Sequence, residues 1–132
     1  ATTEIYTLSL HDALPIFPLL LNKVSKMKAR KEAKALLEYV GIEEGYNKLP
    51  EEFSGGQRQR IAVARALITK PAIILADEPT GNLDSNNSTK IMELFVKANR
   101  EFKTTILMVT HSEKDRLFAN KTIEVKDGQL ID

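Results

Sequence analysis

Cysteine is absent from all 132 residues, which excludes disulfide scaffolding and thiolate catalysis and is compatible with a reducing compartment. No apolar run approaches the roughly 20 residues that a membrane-spanning helix needs, so a membrane role has to come through a partner. Excess charge of one sign is missing too. Nineteen basic residues stand against 18 acidic ones, a formal net of +1, and no global field draws the chain to nucleic acid or an anionic surface. What is present is 42% hydrophobic, which suffices for one domain or part of a larger one.

The chain is organised around Ile73-Ile74-Leu75-Ala76-Asp77-Glu78-Pro79, continued by Thr80-Gly81-Asn82-Leu83-Asp84. A short apolar run that ends in two adjacent carboxylates reads as a buried parallel strand delivering its acids to the carboxyl edge of a sheet, where α/β folds place their ligands. One acid at such an edge can hold Mg2+, and the next can orient or deprotonate a water that attacks a phosphoryl group. A cap on the following segment asks for the same residue types, so the pair alone points to nucleotide hydrolysis without specifying it.

Residues 1–16 carry neither a charged leader nor a clean hydrophobic period and resemble no signal or transit peptide. They resemble, residue for residue, the translation of a synthetic adapter used in preparing DNA sequencing libraries. That makes the segment a foreign fusion, and makes His11 and Asp12 chance neighbours rather than a catalytic pair. From Phe17 the character changes. The basic stretch with Lys23, Lys26, Lys28, Arg30, Lys31 and Lys34 predicts a helix capped by Ser25 and stopped at Gly41. Its apolar stripe is Ala29, Ala33, Leu36, Leu37 and Val40, and the lysines form a solvated face or one that meets a membrane-embedded partner.

A polar, acidic connection over 42–52, with Gly45, Asn47 and Pro50, leads to Phe53-Ser54-Gly55-Gly56-Gln57. Ser54 and Gln57 fit a capping box, and two glycines in the first turn allow a ligand to approach the helix-end amides, which attract anions. The helix runs to about Lys70, with apolar residues around most of its circumference. A second amphipathic helix over roughly 86–101 carries Ile91, Leu94, Phe95, Ala98 and Phe102 and covers the sheet. Thr104 to Val109 reads as the next buried strand, parallel to the first, which brings Thr110 and His111 to the edge that holds Asp77 and Glu78. A short helical stretch to about Ala119 and a hairpin through Asp127-Gly128 complete the pattern.

Taken together, Phe53 to Gln57, the Ile74–Glu78 strand, Asn82-Leu83-Asp84 and His111 resemble, in order and spacing, the carboxyl half of an ATP-binding cassette (ABC) nucleotide-binding domain over residues 17–132. Leu75 to Asp84 is similar to the branch serving lipoprotein release, macrolide-type export and antimicrobial-peptide resistance. The resemblance implies an α/β fold, part of a P-loop NTPase, with a helical subdomain over about 22–70 and a catalytic-core part over about 71–132. It implies that Ser54, Gly55, Gly56 and Gln57 form a signature loop closing on the γ-phosphate of ATP held by an opposite subunit. Asp77 becomes the Walker B ligand of Mg2+, Glu78 the general base, Asn82, Leu83 and Asp84 the D-loop, and His111 the switch histidine.

The implied partners are a second nucleotide-binding domain, head to tail, and a membrane permease on whose cytoplasmic face the protein sits; nucleic acid is not among them. Phe53 stands where Leu is usual and Ser112 where an acid is common. No Gly-x-x-x-x-Gly-Lys-Ser/Thr loop, adenine-stacking aromatic or glutamine loop is found, so the phosphate-binding half of the site is missing from the sequence. Two other readings stand beside this one: a soluble ABC ATPase acting in translation or DNA repair, and a non-functional open reading frame. Residues 22–52 show no sustained heptads, which counts against the coiled-coil repair type.

Overall fold

The computed structural model describes residues 25–42 and 50–131. The segment 1–16, with His11 and Asp12, lies outside the described residues, as do Gly45 and Asn47 of the acidic connection. Helix α1 (Lys26–Tyr39) starts where Ser25 Oγ accepts the Lys28 N–H at 3.4 Å and is followed by Gly41 at φ 77°. A glycine tolerates that left-handed backbone without a Cβ clash. Ala29, Ala33, Leu37 and Val40 are buried, whereas Lys28, Arg30, Lys31 and Lys34 are exposed, so the polar face is open to solvent in this chain.

After a single 3-10 turn at Pro50–Glu52, helix α2 (Gly55–Leu67) buries Ile61, Val63, Ala64, Ala66 and Leu67. It ends three residues before the expected Lys70. There the chain closes a turn through Lys70 N–H to Leu67 O, and Lys70 takes a left-handed φ of 51°, which a helix cannot continue. Arg60 reaches from α2 to donate to the Val40 carbonyl at 3.3 Å, satisfying an orphan acceptor at the end of α1.

Strand β1 (Ile73–Asp77) pairs in parallel with β2 (Thr105–Val109), Ile73 opposite Thr105 and Asp77 opposite Val109. Helix α3 (Ser85–Phe102) makes the crossover and buries Ile91, Met92, Leu94, Phe95 and Ala98. One apolar cluster joins Leu37, Ile61, Leu67, Ile74, Ala76, Ile91 and Phe95, crossing the expected division near residue 70. Each of the leucine, isoleucine and phenylalanine side chains contributes about 1.5–3 kcal/mol on burial. At its margin Tyr39 packs edge-on against Phe102, and burial raises its phenol pKa well above the usual range.

The expectation of a buried second strand needs correction. Leu107 and Val109 are 54% and 57% exposed, while Ile106 and Met108, on the opposite face, pack on the core. Successive side chains of a strand point to opposite faces, and the described helices cover only one of them. Helix α4 (Glu113–Arg116) is a single turn, and β3 (Glu124–Lys126) pairs antiparallel with β4 (Gln129–Ile131). The turn between them has Asp127 and Gly128 both at positive φ, matching the twist a two-residue hairpin needs.

Candidate functional site

Parallel pairing places the residues that follow β1 and β2 side by side. Glu78 N–H donates to Val109 O at 2.8 Å, extending the ladder one step past Asp77, and Glu78 then turns at φ 43°. Gly81 N–H returns to Glu78 O at 3.1 Å, closing the turn. Two residues past the neighbouring strand lies His111, whose Nε2 is 3.1 Å from Glu78 Oε1. The two side chains are 89% and 51% exposed, so the pair faces outward and is open to a ligand. Asp77 is exposed at the same edge.

The second group forms at the start of α2. Gln57 N–H donates to Ser54 Oγ at 3.2 Å and Ser54 N–H to Gln57 Oε1 at 3.0 Å, a reciprocal box. Helix geometry leaves the first amides without intrahelical partners, so those of Gly55 and Gly56 sit at a tip suited to anions. A Cβ on Gly55 would lie 3.7 Å from Leu83 Cδ2, and one on Gly56 only 2.5 Å from Asn87 Oδ1. The glycines thus let the helix tip seat directly on the 82–87 segment. Asp84 is the N-cap of α3, accepting the Asn87 N–H at 2.8 Å and the Asn87 side-chain amide at 3.0 Å. Those bonds, the backbone one first, hold its carboxyl below its ordinary pKa.

The structure therefore brings Glu78 to His111, and Ser54 to Gln57 against Leu83, Asp84 and Asn87. Among the described residues no hydrogen bond or ion pair joins these two groups. Three contributors escaped sequence reasoning. Asn87 packs on Gly56, and Thr80 and Asp115 are buried beneath the Glu78 turn, with Thr80 Oγ1 donating to Asp115 Oδ2 at 2.6 Å. No local pattern marks Asp115, since its partner stands 35 residues away.

Residues 3–81 match the family described as ABC transporter, well over half of the chain. The chain belongs to the ABC transporter family. It is 45% identical over 115 residues to an uncharacterised ABC transporter ATP-binding protein of Methanocaldococcus jannaschii, covering 87% of this chain and 51% of that one. It is 42% identical to the lipoprotein-releasing system ATP-binding protein LolD of Hydrogenovibrio crunogenus, covering 88% and 50%. With the macrolide export ATP-binding/permease protein MacB of Chlorobium phaeobacteroides it shares 50% identity, over 77% of this chain and 15% of that protein.

Among solved structures, a dimeric bacterial ABC transporter cassette matches with a TM-score of 0.76 at 42% identity, over 89% of this chain and 53% of that one. The fold is therefore part of an ABC ATPase cassette, a P-loop NTPase. The chain spans about half the length of the ATP-binding relatives it matches.

Among the described residues no three acidic or imidazole side chains converge as a metal cage. Mg2+ does not require one, because it keeps several waters and is bound by one or two carboxylates together with substrate phosphates. An exposed Asp77 beside Glu78 fits that donor set. No described helix is long and apolar enough to cross a membrane.

Proposed function

We propose that this chain supplies the signature, Walker B, D-loop and switch-histidine part of the ATP-hydrolysing subunit of an ABC exporter in the lipoprotein-release and macrolide-export branch. The observation that carries the reading is the meeting of Glu78 and His111 at 3.1 Å across the parallel strand pair. In this arrangement Glu78 accepts a proton from, or orients, the attacking water, and His111 donates to the γ-phosphate of ATP. The Ser54 hydroxyl and the Gly55 and Gly56 amides face the phosphate tail held by a second cassette, with Asn82, Leu83 and Asp84 lying across the seam. Asp77 would hold Mg2+, which would supply neutralisation of developing phosphate charge. A solved relative described as dimeric and another bound to ADP and Pi support the nucleotide and the second cassette. The ATP-binding/permease relative supports a membrane permease as partner, and the proposed seat of the protein is the cytoplasmic face of the membrane that holds it.

With no Gly-x-x-x-x-Gly-Lys-Ser/Thr loop in its sequence, the 132-residue chain lacks that cradle for the β- and γ-phosphates, and positioning is most of phosphoryl-transfer catalysis. Purified chain is expected to release phosphate from ATP no faster than its Glu78→Gln variant. Turnover above that control sinks the claim that the chain is inactive alone. Residues 1–16 are proposed to be foreign to this core, although the family match begins at residue 3. Deleting them should change urea stability by less than about 0.5 kcal/mol. A loss of about 3 kcal/mol, the scale of removing buried side chains, makes them integral.

A further inference from the structure

We infer that Asp115 is a positioning residue for the proposed site: one buried carboxylate oxygen ties the turn that carries Glu78 and the D-loop to the loop that carries His111. The inference rests on the reading of Glu78 and His111 given above and adds to it the part that holds them in register.

Asp115 is 4% exposed. A buried carboxylate costs several kcal/mol unless its oxygens are satisfied, so one that persists in the interior marks a network with a defined arrangement. Here Oδ2 accepts from Thr80 Oγ1 at 2.6 Å and from Thr110 Oγ1 at 2.9 Å. The donor sense is fixed by what surrounds it. Thr110 Oγ1 already accepts the Ser112 N–H at 3.0 Å, which frees its own hydrogen for Asp115, and Ser112 Oγ caps the Asp115 N–H at 3.3 Å.

Thr80 is itself buried, two residues past Glu78, and its carbonyl accepts the Leu83 N–H at 3.1 Å. Thr110 directly precedes His111. The two loops therefore converge on one atom. The Glu78–His111 contact is a weak source of this order, because both side chains are exposed and exposed polar pairs contribute little. Below it the backbone bond from Glu78 to Val109 fixes the strand end, and among the described residues the Asp115 node is the buried link that reaches both loops beyond it.

Amide hydrogen exchange on the full 132-residue chain without nucleotide tests the tie. In Thr80→Val, which keeps the charge and bulk of the site, exchange at Ser112 and Asp115 is expected to rise about tenfold, the equivalent of one net hydrogen bond. Thr80 touches that loop through Asp115. Asp115→Asn is expected to raise exchange both there and at Gly81 and Leu83. Thr80→Ser, which restores the hydroxyl, should return the rates to within about twofold of wild type. Glu78→Gln should leave them unchanged, since the tie does not run through Glu78.

A rise confined to the substituted loop overturns the inference. So does a uniform rise that includes the Thr105 amide bonded to Ala72, because that is general loosening of the sheet. Loss of coupling in Glu78→Gln would assign the tie to the surface pair instead. Because no nucleotide is present, the result does not depend on whether Glu78 and His111 handle ATP.

Discussion

The start of α2 and the end of β1 are both ligand-facing, but they are held in different ways. At the start of α2 every defining bond spans three residues: Ser54 to Gln57 and back, with Asp84 to Asn87 repeating the device on the neighbouring helix. At the end of β1 the defining contacts link positions about thirty residues apart, Glu78 to Val109 and Thr80 to Asp115. The first can form as soon as its helix forms. The second exists only once the parallel pair and its crossover helix are in place, so its order is a consequence of the whole fold.

Three measurements sharpen or break that contrast. The largest effect is expected for Gly56→Ala, where the new methyl would lie 2.5 Å from Asn87 Oδ1 and force Asn87 off Asp84. A loss of about 1–3 kcal/mol in urea unfolding is expected, the usual cost of overpacking. An unchanged midpoint would mean that the helix tip does not seat on the 82–87 segment. Ser54→Ala removes one side of the local box and should cost about 1 kcal/mol, with exchange rising in the first turn of α2 and not at the β1 edge.

The smallest effect is acidic. The folded-state pKa of Asp84 is lowered, so its stabilising contribution is present above the ordinary carboxylate range and is lost as pH falls through the folded value. Asp84→Asn should therefore lower stability slightly at neutral pH, change it little in acid, and so flatten the acid limb of a stability–pH curve. A steeper acid limb in the variant would reverse the sign argued here.

The difference in span also explains which features could be read in the sequence. Ser25, Ser54 and the Asp127-Gly128 turn were legible because each acts within a few residues. The parallel pair and the approach of His111 to Glu78 followed from strand order and crossover topology. Asp115 was not legible: in sequence it is one more acid in Ser112-Glu113-Lys114-Asp115-Arg116, and only burial separates it from Glu113. Nor did the apolar run of β2 reveal that one face is uncovered, because a continuous hydrophobic stretch carries the same letters whether one face or both are packed. The early end of α2 depended on a left-handed Lys70 that no residue type announces.

The backbone of Glu78 has a consequence for directed evolution. At φ 43° it occupies a region that glycine or asparagine enters more cheaply than glutamate. A library selected only for heat resistance would be drawn toward Gly at position 78, and would discard the carboxylate that meets His111 in the same step. Lys70 and Lys103 share the left-handed geometry without belonging to the site, so the same selection acting there would relieve backbone strain with no such loss.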